Sequence, residues 1–126
     1  MGKRIIISKN APAPIGPYSQ AVLFGNTLYC SGQIAIDPQS GKLNMRDLDS
    51  ETEQVMQNLK AVLKEAEMDF SNVVKCSIFL LDMASFSVVN AIYGKYFPSD
   101  PPARETVQVA GLPLNVNVEI SLIAVK

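Results

Sequence analysis

Apolar residues recur along this chain at two periods, and the change from one to the other marks its elements. Val55, Met56, Leu59, Val62, Leu63 and Ala66 follow the three-and-four spacing of a helix with one apolar face. Ser50, with Glu53 three residues on, supplies a capping box for its start. Phe86, Val89, Tyr93 and Phe97 repeat the pattern in a second amphipathic helix, with Ser85 as cap and Pro98 as stop. Elsewhere the period is two or the run is apolar throughout, which predicts strands over 3–8, 20–24, 27–32, 73–82, 105–110 and 116–125. Gly25-Asn26 reads as a two-residue hairpin turn in which the pair takes positive φ, and "DPQSGK" (37–42) as a further turn. "NAPAPIGPYS" (10–19) is irregular, punctuated by proline and glycine. Three strands, helix, strand, helix and two strands together predict an α+β domain, a mixed sheet with two helices on one face.

Two helices leave the second sheet face to be explained. In the last strand Val118, Ile120, Leu122 and Ala124 share one face, and Asn117, Glu119, Ser121, Ile123 and Val125 share the other. In the strand before it, Val107 and Val109 alternate with Arg104, Thr106 and Gln108. That parity assigns Arg104 to the polar set and predicts that it shares a face with Glu119. A face that is part polar yet holds Ile123 and Val125 reads as a subunit interface, and a polar pocket at such a seam as a site.

Composition narrows the chemistry. The chain has 126 residues, enough for one domain (1–126), and a net charge of −1 with no run of three basic residues, so nucleic acid is not the expected partner. The apolar run in "MGKRIIIS" is too short for a signal core or a membrane span, and Ile6 stands where a myristoylation pattern needs Ser or Thr. No membrane association is expected. The absence of histidine excludes imidazole acid–base chemistry, a Ser-His-Asp triad and the usual imidazole metal sites. Cys30 and Cys76 lie far apart without a C-x-x-C, in apolar contexts that predict buried thiols rather than a metal or redox pair.

Two charges interrupt strands. Arg104 offers a rigid fork suited to a carboxylate, or a surface ion pair, or a stem covering apolar area. Glu119, between Val118 and Ile120, is paired, solvated, or kept partly desolvated for proton transfer. Tyr18 follows the stiff "APIGP", Ser31-Gly32 ends a strand where backbone can approach closely, and Asn90 lies on the second helix.

"NAPAPIGPYSQAV", "YCSGQIAID", "VNAIYGKYF", and "PPAR" with "VAGLP" leading into "VEISLIAV" resemble the RidA/YjgF/UK114 family of reactive-intermediate deaminases, also labelled endoribonuclease L-PSP or translation inhibitor. The resemblance runs over nearly the whole chain. It implies a chorismate-mutase-like subunit, a homotrimer with clefts between subunits, and no cofactor or metal; the expected location is cytoplasmic, with an organelle as the alternative. The implied reaction hydrolyses 2-imino acids such as 2-iminobutanoate and 2-iminopropanoate to 2-oxo acids and ammonia. It further implies that Arg104 clamps the substrate carboxylate and Glu119 activates water, with Tyr18, Ser31, Gly32, Asn90 and Thr106 binding substrate and Phe86 or Ile15 as apolar wall. Many members carry a small residue and then a cysteine after the arginine, where this chain has Glu105 and Thr106. Alternation points Glu105 away from Arg104. A ribonuclease or translation inhibitor, and a non-catalytic trimeric ligand-binding or chaperone-like module, are the competing readings.

Overall fold

In the computed structural model, which describes residues 2–126, the two helical stripes form α1 (Leu48–Glu65) and α2 (Phe86–Gly94). Val55, Met56, Leu59, Val62 and Leu63 of α1 are fully buried. Burial of each such side chain stabilises the fold by about 1.5–3 kcal/mol, more than helix propensity supplies to a segment of this length. The strands are β1 (Arg4–Ile6), β2 (Ala21–Phe24), β3 (Thr27–Gln33), β4 (Val73–Leu80), β5 (Ala103–Gln108) and β6 (Val118–Val125). They form one mixed sheet in the order β1-β2-β3-β6-β4-β5. Only β4 and β5 run parallel, which a crossover through α2 permits. β6 is central, and Val118, Ile120, Leu122 and Ala124 pack into the helix-side core while Glu119, Ser121 and Ile123 remain partly exposed. Both cysteines are buried in that core, where loss of hydration pushes the Cys30 thiol up to about 12.

Several element ends differ from expectation. The N-cap of α1 is Asp47, whose carboxylate accepts from the Ser50 amide at 2.7 Å, so Ser50 lies inside the first turn rather than capping it. An acidic cap one turn earlier satisfies the same orphan amides and also complements the helix dipole. Ser85 makes no side-chain cap to α2. Asp82 instead caps a short 3-10 turn, Met83–Ser85, that leads into it. The helix ends at Gly94, and i→i−3 bonds from Tyr96 and Phe97 tighten the chain before Pro98. In the β2–β3 hairpin only Gly25 has positive φ, at 61°, so glycine occupies the first central position of a primed turn and Asn26 the unstrained second. β5 spans Ala103–Gln108, two residues earlier than predicted, because its backbone pairs with β4 from Lys75 onward.

Register decides which strands share a face. Cys76 pairs with Arg104, and Phe79 pairs with Glu119. Paired residues lie on the same side of a sheet, and positions 76 and 79 differ in parity. Arg104 and Glu119 therefore lie on opposite faces, contrary to the alternation argument. Arg104 and Thr106 join Cys76, Ile78 and Leu80 on the helix side. Glu119 lies on the open side with Phe79, Val107 and Glu105.

Candidate functional site

The segment between β1 and β2 carries prolines that cannot donate backbone hydrogen bonds, so its carbonyls need donors from elsewhere. Gln20 supplies them. Its buried amide donates to the carbonyls of Ser8 at 3.1 Å, Ala11 at 3.3 Å and Pro12 at 2.8 Å, and accepts from the Ser8 amide at 2.6 Å. Held this way, Pro12, Ile15 and Tyr18 form one wall of a cavity of about 310 Å³. Tyr18 is half exposed, and its hydroxyl accepts from the Ile15 amide at 3.2 Å, which closes the turn.

The opposite wall comes from a bulge. Between Cys30 and Gln33 the β3–β6 register slips by one residue, and Ser31 and Gly32 occupy the bulge. The Ser31 hydroxyl donates to the Ser19 carbonyl at 2.6 Å, tying the bulge to the Tyr18 segment. A Cβ added to Gly32 would overlap the Glu119 carboxylate, with its Cδ only 2.8 Å away. Glycine leaves the space in which that carboxylate lies, its φ being ordinary. Glu119 thus lies against bare backbone in the same cavity, with no ion pair or side-chain hydrogen bond among the described residues. Partial desolvation raises its carboxyl above the ordinary range. Such a carboxylate binds a proton more readily than a hydrated one, and suits a general base.

Arg104 is held on the other side of the sheet. Its Nη1 donates to Asn90 Oδ1 at 2.7 Å, and its Cζ lies 5.0 Å from the Tyr93 ring centroid and 5.7 Å from that of Phe86. It has no carboxylate partner among the described residues. Glu105 turns away from it, onto the open face, where it pairs with Lys75 at 2.7 Å and accepts from the Ser77 hydroxyl. The hydrogen bonds from Lys75 and then Ser77 hold this carboxyl below the ordinary range. Thr106 follows Arg104 on the helix side, its hydroxyl buried without a partner. One chain therefore brings Tyr18, Ser31, Gly32, Glu119 and Ile15 together, and separately groups Arg104, Asn90 and Phe86 with Thr106 nearby.

Sequence reasoning missed two supporting residues. Gln20 was legible in principle, since the neighbouring prolines leave carbonyls in need of a donor. Glu51 was not. It looks like an ordinary acidic residue of a first helical turn, yet it is fully buried and accepts from the Asn117 amide and side chain, both at 2.8 Å. Those bonds fix the start of β6 two residues before Glu119.

Known proteins resemble this chain in sequence and in fold. The family described as Endoribonuclease L-PSP matches residues 8–126. The chain is 49% identical over 124 residues to 2-iminobutanoate/2-iminopropanoate deaminase of Capra hircus, covering 98% of this chain and 90% of that protein. It is 46% identical over 122 residues to Reactive Intermediate Deaminase A, chloroplastic, of Arabidopsis thaliana, covering 97% of this chain and 65% of that protein's length. The crystal structure of E. coli TdcF with bound serine superposes with a TM-score of 0.93 at 35% identity, covering 98% of both chains.

Proposed function

Since the chain belongs to the Endoribonuclease L-PSP family, which includes the RidA and YjgF proteins, we propose that it hydrolyses 2-imino acids, 2-iminobutanoate and 2-iminopropanoate among them, to 2-oxo acids and ammonia. The observation that carries this reading is Glu119, a carboxylate of raised pKa set against the Ser31-Gly32 backbone in a cavity with apolar walls. The goat and Arabidopsis relatives carry deaminase names, and TdcF holds a small amino acid.

A protonated imine is already electrophilic, so the protein has only to place water and move protons. Glu119 takes a proton from water as its oxygen bonds to the imine carbon and the C=N π pair passes to nitrogen. That proton then passes to the amine nitrogen. The carbinol hydroxyl gives its own proton to Glu119 as the C–N bond breaks and the carbonyl forms, and ammonia leaves, taking this second proton from Glu119 as ammonium. Arg104 binds the substrate carboxylate bidentately, with Thr106 and Asn90 beside it, while Tyr18, Ser31 and Gly32 line the Glu119 side. Within one chain the two charges lie on opposite faces of the sheet, so each cleft takes Glu119 from one subunit and Arg104 from a second. The open face, which exposes Tyr29, Phe24, Val107 and Val125, supports such an association. The assembly is a chorismate-mutase-like homotrimer in the cytoplasm or an organelle. No described helix is long and apolar enough to cross a membrane.

The test couples a threonine dehydratase to 2-oxobutanoate detection, with semicarbazide competing for free imine. Wild type accelerates 2-oxobutanoate release. Glu119→Ala loses roughly a hundredfold of that acceleration, the scale of a positioned base, and Arg104→Ala raises KM. No acceleration by wild type overturns the reading, and binding that survives Glu119→Ala without turnover identifies a ligand-binding module instead. RNA cleavage by wild type that is lost in folded site variants would identify a ribonuclease.

A further inference from the structure

Resting on the imino-acid reading, we propose that Asn90 acts through Arg104 and does not itself bind substrate. Together with Phe86 and Tyr93 it forms a cradle that fixes the plane of the guanidinium and leaves its other edge for a carboxylate. Positions 86, 90 and 93 share one stripe of α2, and each touches the guanidinium. The aromatic rings lie near its Cζ at 5.7 and 5.0 Å, and the Asn90 oxygen accepts from Nη1 at 2.7 Å.

Tyr93 anchors the cradle to the core. It is buried against Phe97, with ring centroids 4.8 Å apart. Its hydroxyl lies beside the Cys76 thiol, and burial first, then that thiol, holds the phenol well above its ordinary range. The ring therefore stays neutral beneath the cation. An arginine side chain free in solution loses rotamer freedom when it grips a ligand. Here most of that ordering is already done by folding.

The neutrality of Asn90 is the second part of the argument. A carboxylate at the same position would orient the fork equally well, but it would also cancel the charge that draws an anionic substrate. An amide oxygen orients without neutralising. The rest of the surroundings obey the same rule, because the adjacent carboxylate, Glu105, is turned to the far side of the sheet and occupied by Lys75 and Ser77. Among the described residues Asn90 makes one side-chain hydrogen bond, to Arg104.

The experiment is a double-mutant cycle at positions 90 and 104, read in the imine assay. Asn90→Ala raises KM roughly tenfold with kcat nearly unchanged, the scale of losing one hydrogen bond to a charged group. Asn90→Asp raises KM further, because the new carboxylate pairs with Arg104. In an Arg104→Lys background, which keeps a charge without a fork, Asn90→Ala has no additional effect. An equal KM penalty for Asn90→Ala in both backgrounds overturns the proposal, since it assigns Asn90 its own substrate contact. The cradle is also read without turnover, from the nitrogen-15 NMR signal of the Arg104 guanidinium, identified by its loss in Arg104→Lys. Hindered rotation of Nη1 in wild type that is relieved in Asn90→Ala supports the cradle, and an unchanged signal overturns it. A wild type that shows the cradle but no imine hydrolysis would sink the enzymatic reading alone.

Discussion

If each cleft takes Glu119 from one subunit and Arg104 from another, two variants that are each nearly inactive at low substrate should rescue each other. Arg104→Ala leaves every subunit with an intact Glu119 wall and a broken clamp, and Glu119→Ala does the reverse. The register supplies the magnitude. β4 separates β5 from β6, so the two backbones lie about 10 Å apart across the sheet, and the side chains leave from opposite faces. On the proposed reading a chain cannot complete its own site, and a closed ring would have one Glu119–Arg104 pair at every seam. When the variants are mixed in equal amounts and allowed to exchange subunits at random, each seam has a half chance of an intact glutamate and a half chance of an intact arginine. About a quarter of wild-type activity should return, with the fraction falling on either side of the equal mixture. The assay is semicarbazide competition on mixtures of increasing ratio, with native mass spectrometry to show that mixed oligomers form. Mixed oligomers with no recovered activity would refute the two-subunit site, because they would mean that glutamate and arginine work within one chain.

The remaining predictions concern the supports of the site. Gly32→Ala places a methyl where the Glu119 carboxylate lies, and it should cut kcat at least tenfold while changing the melting temperature little, since the displaced group is the end of a flexible side chain rather than backbone. Glu119 has a folded pKa raised above its usual value by desolvation, so its ionised form disfavours folding at neutral pH. Glu119→Gln should therefore be nearly inactive yet melt higher at pH 7, an advantage that disappears once acid protonates the wild-type carboxyl in both states. Desolvation by itself should move the acid limb of kcat/KM above the ordinary carboxylate value of 4.5, and a limb that survives unchanged in the residual activity of Glu119→Gln would exclude Glu119 as its source. Glu51→Gln puts a donor where a fully buried oxygen accepts from Asn117, and should cost about 1–3 kcal/mol, or several degrees in melting temperature, measured by thermal unfolding.

What the sequence determined by itself is what depends on neighbours in the chain. The stripe from Val55 to Ala66 can bury only one face, so α1 was legible. The alternation of Val118, Ile120, Leu122 and Ala124 with Glu119 and Ser121 set which residues of β6 face the core. Absent histidine confined the chemistry to carboxylate, arginine and hydroxyl groups. The residues resembling a known family marked Arg104, Glu119 and the Tyr18 segment as candidates. What only the tertiary structure decided depends on how separate segments align. Parity along β5 and along β6 was read correctly within each strand, but β4 lies between them, and the offset between Cys76 and Phe79 turned Arg104 and Glu119 to opposite faces. A shift of one residue in that register would have placed them together, and nothing local to either strand encodes it. The same holds for Glu51, whose partner Asn117 lies 66 residues away and turns an ordinary first-turn acid into a buried anchor. Local pattern sets the inventory of faces and charges, and the long-range pairing of backbones decides which of them meet.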